Sequence, residues 1–165
     1  MTDEEFLALP YRPNAGVMLL NDVGKVFVGK RIDTDGEAWQ MPQGGIDKGE
    51  DAEAASLREL TEETGIPARL VSIISVSESW IKYDFPRELA AKLWVRRSGE
   101  PRYRGQKQRW FLMRFKGQDS DVNIATSHPE FSDWKWMKPA DLPHFIVPFK
   151  QDIYRQVLKE FSGWI

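Results

Sequence analysis

Acidic side chains are concentrated in a short stretch that follows two glycines at 44–45. Glu50 comes first, and Glu59, Glu62 and Glu63 follow it. Carboxylates that crowd one surface repel each other, and the cost rises as they leave water. A divalent cation removes that cost, and hard cations such as Mg²⁺ choose oxygen ligands. The stretch therefore predicts a metal site that handles phosphate.

A helix from about Asp51 to Thr64 is predicted to carry these side chains. Asp51 can cap its N-terminus, Gly65 can take the left-handed conformation that ends it, and Pro67 prevents its continuation. Positions i, i+3 and i+4 are neighbours on a helix, so the three clustered glutamates share one face. The projection places Ala54, Leu57, Leu60, Thr61 and Thr64 toward the core, and Ala52, Ala55 and Ser56 on the acidic side with room for a ligand.

A solvated acidic helix face is the alternative interpretation of these glutamates. It leaves the glycines, Glu50, Arg58 and Gly65 unexplained at their offsets from the helix. Arg58 can bind one of the carboxylates through two parallel hydrogen bonds and fix its direction. The spacing thus favours a built site over a solvated surface.

Composition limits the class of protein. The 165 residues are 41% hydrophobic and 29% charged, which is typical of a globular protein with one domain spanning 1–165. The chain has no cysteine, which excludes disulfides and thiolate metal sites, and only two histidines. The acidic N-terminus lacks a signal-peptide pattern, and no apolar run approaches the ~20 residues of a membrane span. We expect a cytoplasmic protein that does not bind membranes.

The net charge of −2 conceals a basic segment. Between Lys82 and Arg109 the chain has nine basic and three acidic residues. Pro86, Gly99, Pro101 and Gly105 interrupt this segment and predict a long surface segment containing short strands. A polyanionic substrate and a solvated loop are both compatible with such charges.

The remaining elements predict an α/β fold with a mixed β-sheet covered by helices. Residues 15–20 and 25–31 are predicted strands joined by a hairpin turn at 21–24. Further strands are predicted at 70–76, 109–115 and 133–137. A second helix is predicted to begin near Pro148, since apolar residues recur at Phe149, Ile153, Val157 and Phe161.

The acidic stretch resembles the Nudix box, the signature of the Nudix hydrolase family. The box reads glycine, five residues, glutamate, seven residues, then Arg-Glu-aliphatic-any-Glu-Glu-any-Gly-aliphatic. Every defined position is met, by Gly44, Glu50, Arg58, Glu59, Leu60, Glu62, Glu63, Gly65 and Ile66. The resemblance implies the Nudix fold, an α/β/α sandwich, and hydrolysis of a nucleoside diphosphate linked to another group.

The resemblance also implies a metal centre containing Mg²⁺ or Mn²⁺. Its implied ligands are Glu59, Glu62 and Glu63, with Glu130 and Gly44 as further candidates. The same glutamates and Glu130 are implied catalytic groups that act on the attacking water. Arg58, also in the implied catalytic set, would orient a catalytic glutamate.

Segments outside the box resemble the bacterial RNA pyrophosphohydrolases, also described as dinucleoside polyphosphate hydrolases. They are YRPN at 11–14, WQMPQGG at 39–45, YRGQKQ at 103–108, PEF at 129–131 and VPFK at 147–150. Such enzymes remove pyrophosphate from 5′-triphosphorylated RNA, leave a monophosphate end and also split diadenosine polyphosphates. Water is the co-substrate, and no stable protein partner can be deduced.

Five residues are expected to bind the substrate. Arg12, Arg31 and Lys150 can contact phosphate oxygens. Gln106 can read a base or a phosphate, and Phe149 can stack on a base or pack in the core. The substrate remains open between an RNA 5′ end and a diadenosine polyphosphate. A nucleotide-sensing Nudix module without turnover, and a sugar-nucleotide or damaged-nucleotide hydrolase, are further alternatives.

Overall fold

The computed structural model describes residues 1–33 and 36–165. Its strands are β1 (Tyr11–Leu20), β2 (Val26–Arg31), β3 (Trp39–Gln40), β4 (Gln43–Gly45), β5 (Val71–Val76), β6 (Ile81–Asp84), β7 (Gly105–Phe115) and β8 (Phe131–Met137). Its α-helices are α1 (Asp3–Leu7), α2 (Ala52–Thr64), α3 (Arg87–Ala90) and α4 (Gln151–Glu160). Short 3₁₀ turns lie at Ala68–Leu70, Asp119–Asp121, Pro139–His144 and Pro148–Lys150. No helix in these two ranges is long and apolar enough to cross a lipid bilayer.

The strands form a mixed sheet around β1. This strand pairs in parallel with β7 along its whole length and antiparallel with β4 at residues 14–16. The predicted turn between β1 and β2 is confirmed, but the two strands pair directly only at Leu20 and Val26. Beyond the turn, β2 pairs with β3 and β8, while β5 and β6 pair with β7. The mixed sheet of the predicted α/β fold is confirmed.

Each face of the sheet carries its own apolar core. Val17 and Leu19 of β1 belong to the core that includes residues of α2, whereas Met18 and Leu20 belong to the core that includes residues of α4. Successive side chains of a strand point to opposite faces, so residues 15–20 of β1, which lie between the two cores, are apolar throughout. One layer of helix lies on each side of the sheet, which gives the predicted α/β/α sandwich.

Both predicted ends of α2 are confirmed. The Asp51 side chain accepts a hydrogen bond from the Ala54 N–H at 2.7 Å, and Gly65 ends the helix with a φ of 73°. The predicted core face of α2 is partly wrong. Ala54 and Thr61 are exposed, whereas five residues of the helix are buried: Ala55, Ser56, Leu60, Glu63 and Thr64. The helix packs on β1 and β4, and small residues at 55 and 56 permit that close approach.

The basic segment is only partly the surface segment that its glycines and prolines predicted. It contains β6, α3 and an isolated bridge between Val95 and Pro101, as expected for short elements. The last five residues, 105–109, instead begin β7, which lies between β1 and β6. Three of those residues are buried: Gly105, Gln106 and Gln108. The sequence does not predict that β7 begins at residue 105, because a glycine weakens a strand pattern. A glycine is needed there because the backbone of β6 lies too close to Gly105 to leave room for a side chain.

Candidate active site

Helix α2 lies close against strand β4 where Gly44 faces Glu59. A Cβ atom at Gly44 would overlap the carboxyl group of Glu59. A glycine is therefore required at this position to seat the Glu59 side chain, which is only 15% exposed, against the strand. Burial raises the pKa of Glu59, and the neighbouring Arg58 opposes that rise.

Arg58 connects the start of the acidic stretch to the helix. Its Nε and Nη2 donate to the two carboxylate oxygens of Glu50, each at 2.8 Å, and Nη2 also donates to the Gly45 carbonyl at 2.9 Å. Its Nη1 donates to Glu59 at 2.8 Å and to Glu62 at 3.3 Å. The hydrogen bonds from Arg58 and from the Asp47 N–H lower the pKa of Glu50 to about 2. The predicted orienting role of Arg58 thus has a geometric basis.

Glu63 is a buried carboxyl group on the core side of α2, with 4% of its surface exposed. The backbone N–H of Gln43 donates to its Oε2 at 3.0 Å. Burial raises the pKa of Glu63 well above its ordinary value, and the charges of Glu59 and Glu130 add to the rise. Such a group is costly when ionised unless a positive charge compensates it.

The three α2 glutamates of the Nudix box, Glu59, Glu62 and Glu63, occupy different environments. Glu63 is buried, Glu59 is largely buried, and Glu62 is exposed. Glu130 is about half exposed and lies 3.9 Å from Arg31. In the two described ranges, no three acidic, histidine or cysteine side chains converge as a finished metal cage. Arg58 instead binds Glu59 and Glu62. The three glutamates therefore do not form one equally exposed acidic face, since their solvent exposure increases from Glu63 to Glu59 to Glu62.

Arg12 lies between strand β4 and an aromatic ring. A Cβ atom at Gly45 would overlap its guanidinium, and the centre of the Trp94 ring is 4.2 Å from its Cζ. Its Nη1 donates to Oε1 of Gln106 at 3.4 Å. Burial lowers the pKa of Arg12, and the charges of Tyr103 and Glu59 oppose this. Arg12 forms no salt bridge within the described residues, which leaves its charge available to a bound anion.

Gln106 is buried and bonded within the protein. Its Oε1 also accepts from Asn14 at 2.8 Å, and its Nε2 donates to the Tyr83 hydroxyl at 2.8 Å. Asn14 in turn donates to Gln43 at 2.6 Å and accepts from Gln108 at 3.0 Å. The structure therefore places Gln106 behind Arg12, in a network of buried amides.

Arg31 and Lys150 form a second cationic group near Glu63. Arg31 forms a salt bridge with Asp33 at 2.6 Å. Burial and the charge of Arg31 lower the pKa of Lys150 to about 8, whereas Glu63 and Asp33 act in the opposite direction. Phe149 is partly buried, with its ring centre 6.1 Å from that of Tyr83. The packing predicted for Phe149 is confirmed, and its stacking on a base stays a prediction.

Sequence reasoning missed two residues of this site. Trp94 lies outside the sheet, and its ring covers Arg12. Asn14 was considered only as part of the segment 11–14, although an uncharged amide in a strand between apolar cores was a usable signal. No sequence pattern pairs Trp94 with Arg12, because 81 intervening residues separate them.

Comparison with known proteins gives a family and close relatives. The profile of the NUDIX domain matches residues 10–157. The RNA pyrophosphohydrolase of Roseobacter denitrificans is 58% identical over 163 residues, covering 99% of both chains. That of Dinoroseobacter shibae is 51% identical over 165 residues and covers 100% of both.

Solved structures share the fold at low sequence identity. The Ap4A hydrolase of C. elegans superposes with a TM-score of 0.62 at 19% identity, covering 92% of this chain and 99% of that one. The dihydroneopterin triphosphate pyrophosphohydrolase of E. coli gives a TM-score of 0.66 at 20% identity, covering 91% and 99%. These likenesses establish the architecture alone.

Proposed function

This chain belongs to the Nudix hydrolase family, and from that premise we propose that it is a metal-dependent RNA pyrophosphohydrolase. It removes pyrophosphate from the 5′-triphosphate end of RNA, leaves a 5′-monophosphate and so promotes mRNA decay in the cytoplasm. The observation that carries hydrolysis is the buried Glu63 carboxyl beside Glu59. The choice of RNA follows the names of relatives that match almost the whole chain. We take residues 1–165 as one functional domain.

The donor set fits a hard divalent cation. We assign Mg²⁺ or Mn²⁺ to Glu59, Glu62 and Glu63, with Glu130 and the Gly44 backbone as further candidates. Carboxylates supply the oxygen ligands that such cations choose, and a cation would compensate the burial and the repulsion from Glu59 that raise the pKa of Glu63. Bound there, the metal neutralises phosphate charge and lowers the pKa of a water molecule.

Hydrogen bonds within the protein orient the catalytic carboxylates, and one carboxylate accepts the proton of the attacking water. Arg58 fixes one oxygen of Glu59, and the Gln43 N–H fixes one oxygen of Glu63. A carboxylate that remains free of the cation can accept the proton of an attacking water. We assign this role to one glutamate of the set Glu59, Glu62, Glu63 and Glu130.

The cationic residues are proposed to bind the triphosphate and the terminal nucleotide. Arg12 has no carboxylate partner within the described residues and would bind phosphate oxygens through its guanidinium fork. Arg31 and Lys150 would bind the phosphates from the side of Glu63. Phe149 would stack on the terminal base, and Gln106 would hold Arg12 in place.

The decisive experiment is hydrolysis of a short 5′-triphosphate RNA in the presence of Mg²⁺. We expect pyrophosphate and a 5′-monophosphate RNA, with no reaction in chelator or in the Glu63→Gln variant. Release of orthophosphate alone, or an unreactive triphosphate end, would contradict the proposal. A protein that binds the RNA without turnover across metals would instead be a nucleotide-sensing module.

A diadenosine polyphosphate is the second candidate substrate. A net charge of −2 is unusual for a protein that grips a long nucleic acid, since phosphate contacts dominate such binding. The same purified protein should be given triphosphate RNA and diadenosine tetraphosphate at equal concentration. A clearly higher kcat/KM for the dinucleotide would replace the RNA assignment.

A further inference from the structure

Basic and aromatic side chains alternate on β1, β6 and β7 and on the residues that precede β6 and β7, outside the site described above. The Tyr11 ring centre lies 4.9 Å from Cζ of Arg104 and 5.5 Å from Nζ of Lys82. The Trp80 ring centre lies 4.8 Å from Nζ of Lys107 and 5.9 Å from Cζ of Arg109. We call these six residues the cation–aromatic row: Arg104, Tyr11, Lys82, Lys107, Trp80 and Arg109.

Strand register makes the row continuous on one face of the sheet. Lys82 of β6 lies directly opposite Lys107 of β7, which joins the group around Tyr11 to the group around Trp80. Tyr11 pairs with Gly105 in the parallel ladder, so Tyr11, Lys107 and Arg109 project from the same face. The exposed end of this part of the sheet therefore presents one basic and aromatic surface.

The positive charge of the row is poorly compensated. Asp84 binds Arg104 and the Tyr11 hydroxyl, but Lys82, Lys107 and Arg109 form no salt bridge in the part of the chain that the structure describes. Like charges directly opposite each other destabilise a sheet. An anion bound between Lys82 and Lys107 would relieve this repulsion.

The row lies near the glutamates and on the same face of the sheet. Ala15 pairs with Gly44 on one side and with Arg109 on the other, so these three positions form one line across β4, β1 and β7. Gly44 faces Glu59 on this line. At the usual strand spacing, the row begins about 10 Å from Gly44 and extends to about 15 Å at β6.

We propose that the cation–aromatic row binds the single-stranded RNA that follows the 5′-terminal nucleotides of the substrate. Basic groups that follow a backbone, interleaved with rings on which bases stack, are the two requirements for binding single strands without sequence preference. The identity of this ligand rests on the RNA pyrophosphohydrolase function proposed above. The row would then add affinity for longer RNA while leaving the triphosphate chemistry unchanged.

A length-dependent assay tests the row. The double variant Lys82→Gln/Lys107→Gln is compared with Lys25→Gln/Lys138→Gln, a control that removes the same charge from exposed lysines elsewhere. Substrates are a 5′-triphosphate dinucleotide and a 5′-triphosphate single strand of about ten nucleotides, within the usual site size of about 4–16. We expect the row variant to raise KM for the long RNA only, and to lower the salt slope of binding by about 1.4.

A single ring variant and a binding assay complete the test. Trp80→Leu should weaken binding of the long RNA about five- to hundredfold, with Trp80→Tyr restoring most of it. Anisotropy with a 5′-hydroxyl RNA of the same length measures this binding without hydrolysis. If the parent protein binds that RNA through the row but hydrolyses no triphosphate end, the row stands and the proposed activity fails.

Two results would overturn the row as an RNA surface. One is equal binding of the long RNA by the row variant and the lysine control. The other is a loss in the row variant that affects only anionic phosphatidylserine vesicles and not RNA. Either result would leave the proposed pyrophosphohydrolase activity untouched.

Discussion

Cζ of Arg12 lies 4.2 Å from the centre of the Trp94 ring, so the guanidinium and the indole are in cation–π contact. Trp94 has a φ of 45°, an uncommon value for a residue other than glycine, and its ring also contacts Phe85 and Tyr103. Backbone strain of this kind persists where the surroundings over-determine it. Here the surroundings hold the ring over a cation that has no salt-bridge partner within the described residues.

Loss of the Trp94 ring should weaken substrate binding more than it slows chemistry. We expect Trp94→Leu to raise KM for 5′-triphosphate RNA about two- to thirtyfold, the range of a cation–π contact that is partly shielded from water. Trp94→Phe should recover part of the loss, because a smaller ring still faces Arg12. Steady-state kinetics would contradict this role if kcat fell in Trp94→Leu while KM stayed unchanged.

Neighbouring glycines should have separable effects. Gly44→Ala pushes the new methyl group into the Glu59 carboxyl, so kcat should fall about a hundredfold or more, as for a displaced catalytic group. Gly45→Ala pushes it into the Arg12 guanidinium, so KM should rise instead. Gly163→Ala has open space around its methyl group and serves as the control. Identical kinetic profiles for the first two variants would show that the glycines serve only the fold.

Glu63→Gln should abolish activity yet stabilise the metal-free protein at neutral pH. The folded-state pKa of Glu63 is raised, so its stabilising contribution is complete below the unfolded value of 4.5 and declines as pH rises toward the folded value. An uncharged glutamine avoids that decline. In chelator at pH 7 the variant should have the higher Tm, and the difference should vanish near pH 4.

The change in Tm on adding Mg²⁺ tests whether Glu63 is a metal ligand. Mg²⁺ should raise the Tm of the parent protein and leave that of Glu63→Gln almost unchanged, since the variant lacks a charged ligand. Equal metal-induced shifts in the two proteins would remove Glu63 from the metal centre. Glu53→Gln, an exposed change in the first turn of the same helix, is the matched control.

Lys150 should give the reaction a basic limb in its pH profile. Its pKa of about 8 means that the ammonium form, which attracts phosphate, is lost as pH rises through 8. We expect kcat/KM, which reports the free enzyme, to fall about tenfold by one pH unit above that value. Lys150→Arg keeps its charge and should move the fall to higher pH. A profile unchanged by this substitution would remove Lys150 from phosphate binding.

Local signals predicted the elements that carry the site. The caps of α2 at Asp51 and Gly65 and the turn after β1 occur where the sequence places them. The last helix begins at Gln151, directly after a 3₁₀ turn that starts at the predicted Pro148. Such signals act within a few residues, so they survive in a chain considered without its fold. The spacing of the Nudix box likewise made Arg58 and the glutamates recognisable.

The rotation of α2 about its axis was not predictable in the same way. The helix has small residues on one side and polar residues on several sides, so its apolar face is weakly defined. The helical projection predicted that Ala54 faces the core, whereas the fold buries Ala55. Packing against β4 decided the outcome, because only that side permits the close contact of Gly44 with Glu59. The buried state of Glu63 is a consequence of the same rotation.

By itself the sequence determined the family, the class of chemistry and the residues that must be acidic, since these depend on residue type and spacing along one helix. Tertiary structure alone decided which carboxyl is buried, which ring covers Arg12 and which lysines face each other across β6 and β7. Those contacts join positions far apart in the chain. Their energies depend on burial and on distance in space, and neither quantity is written in a local pattern.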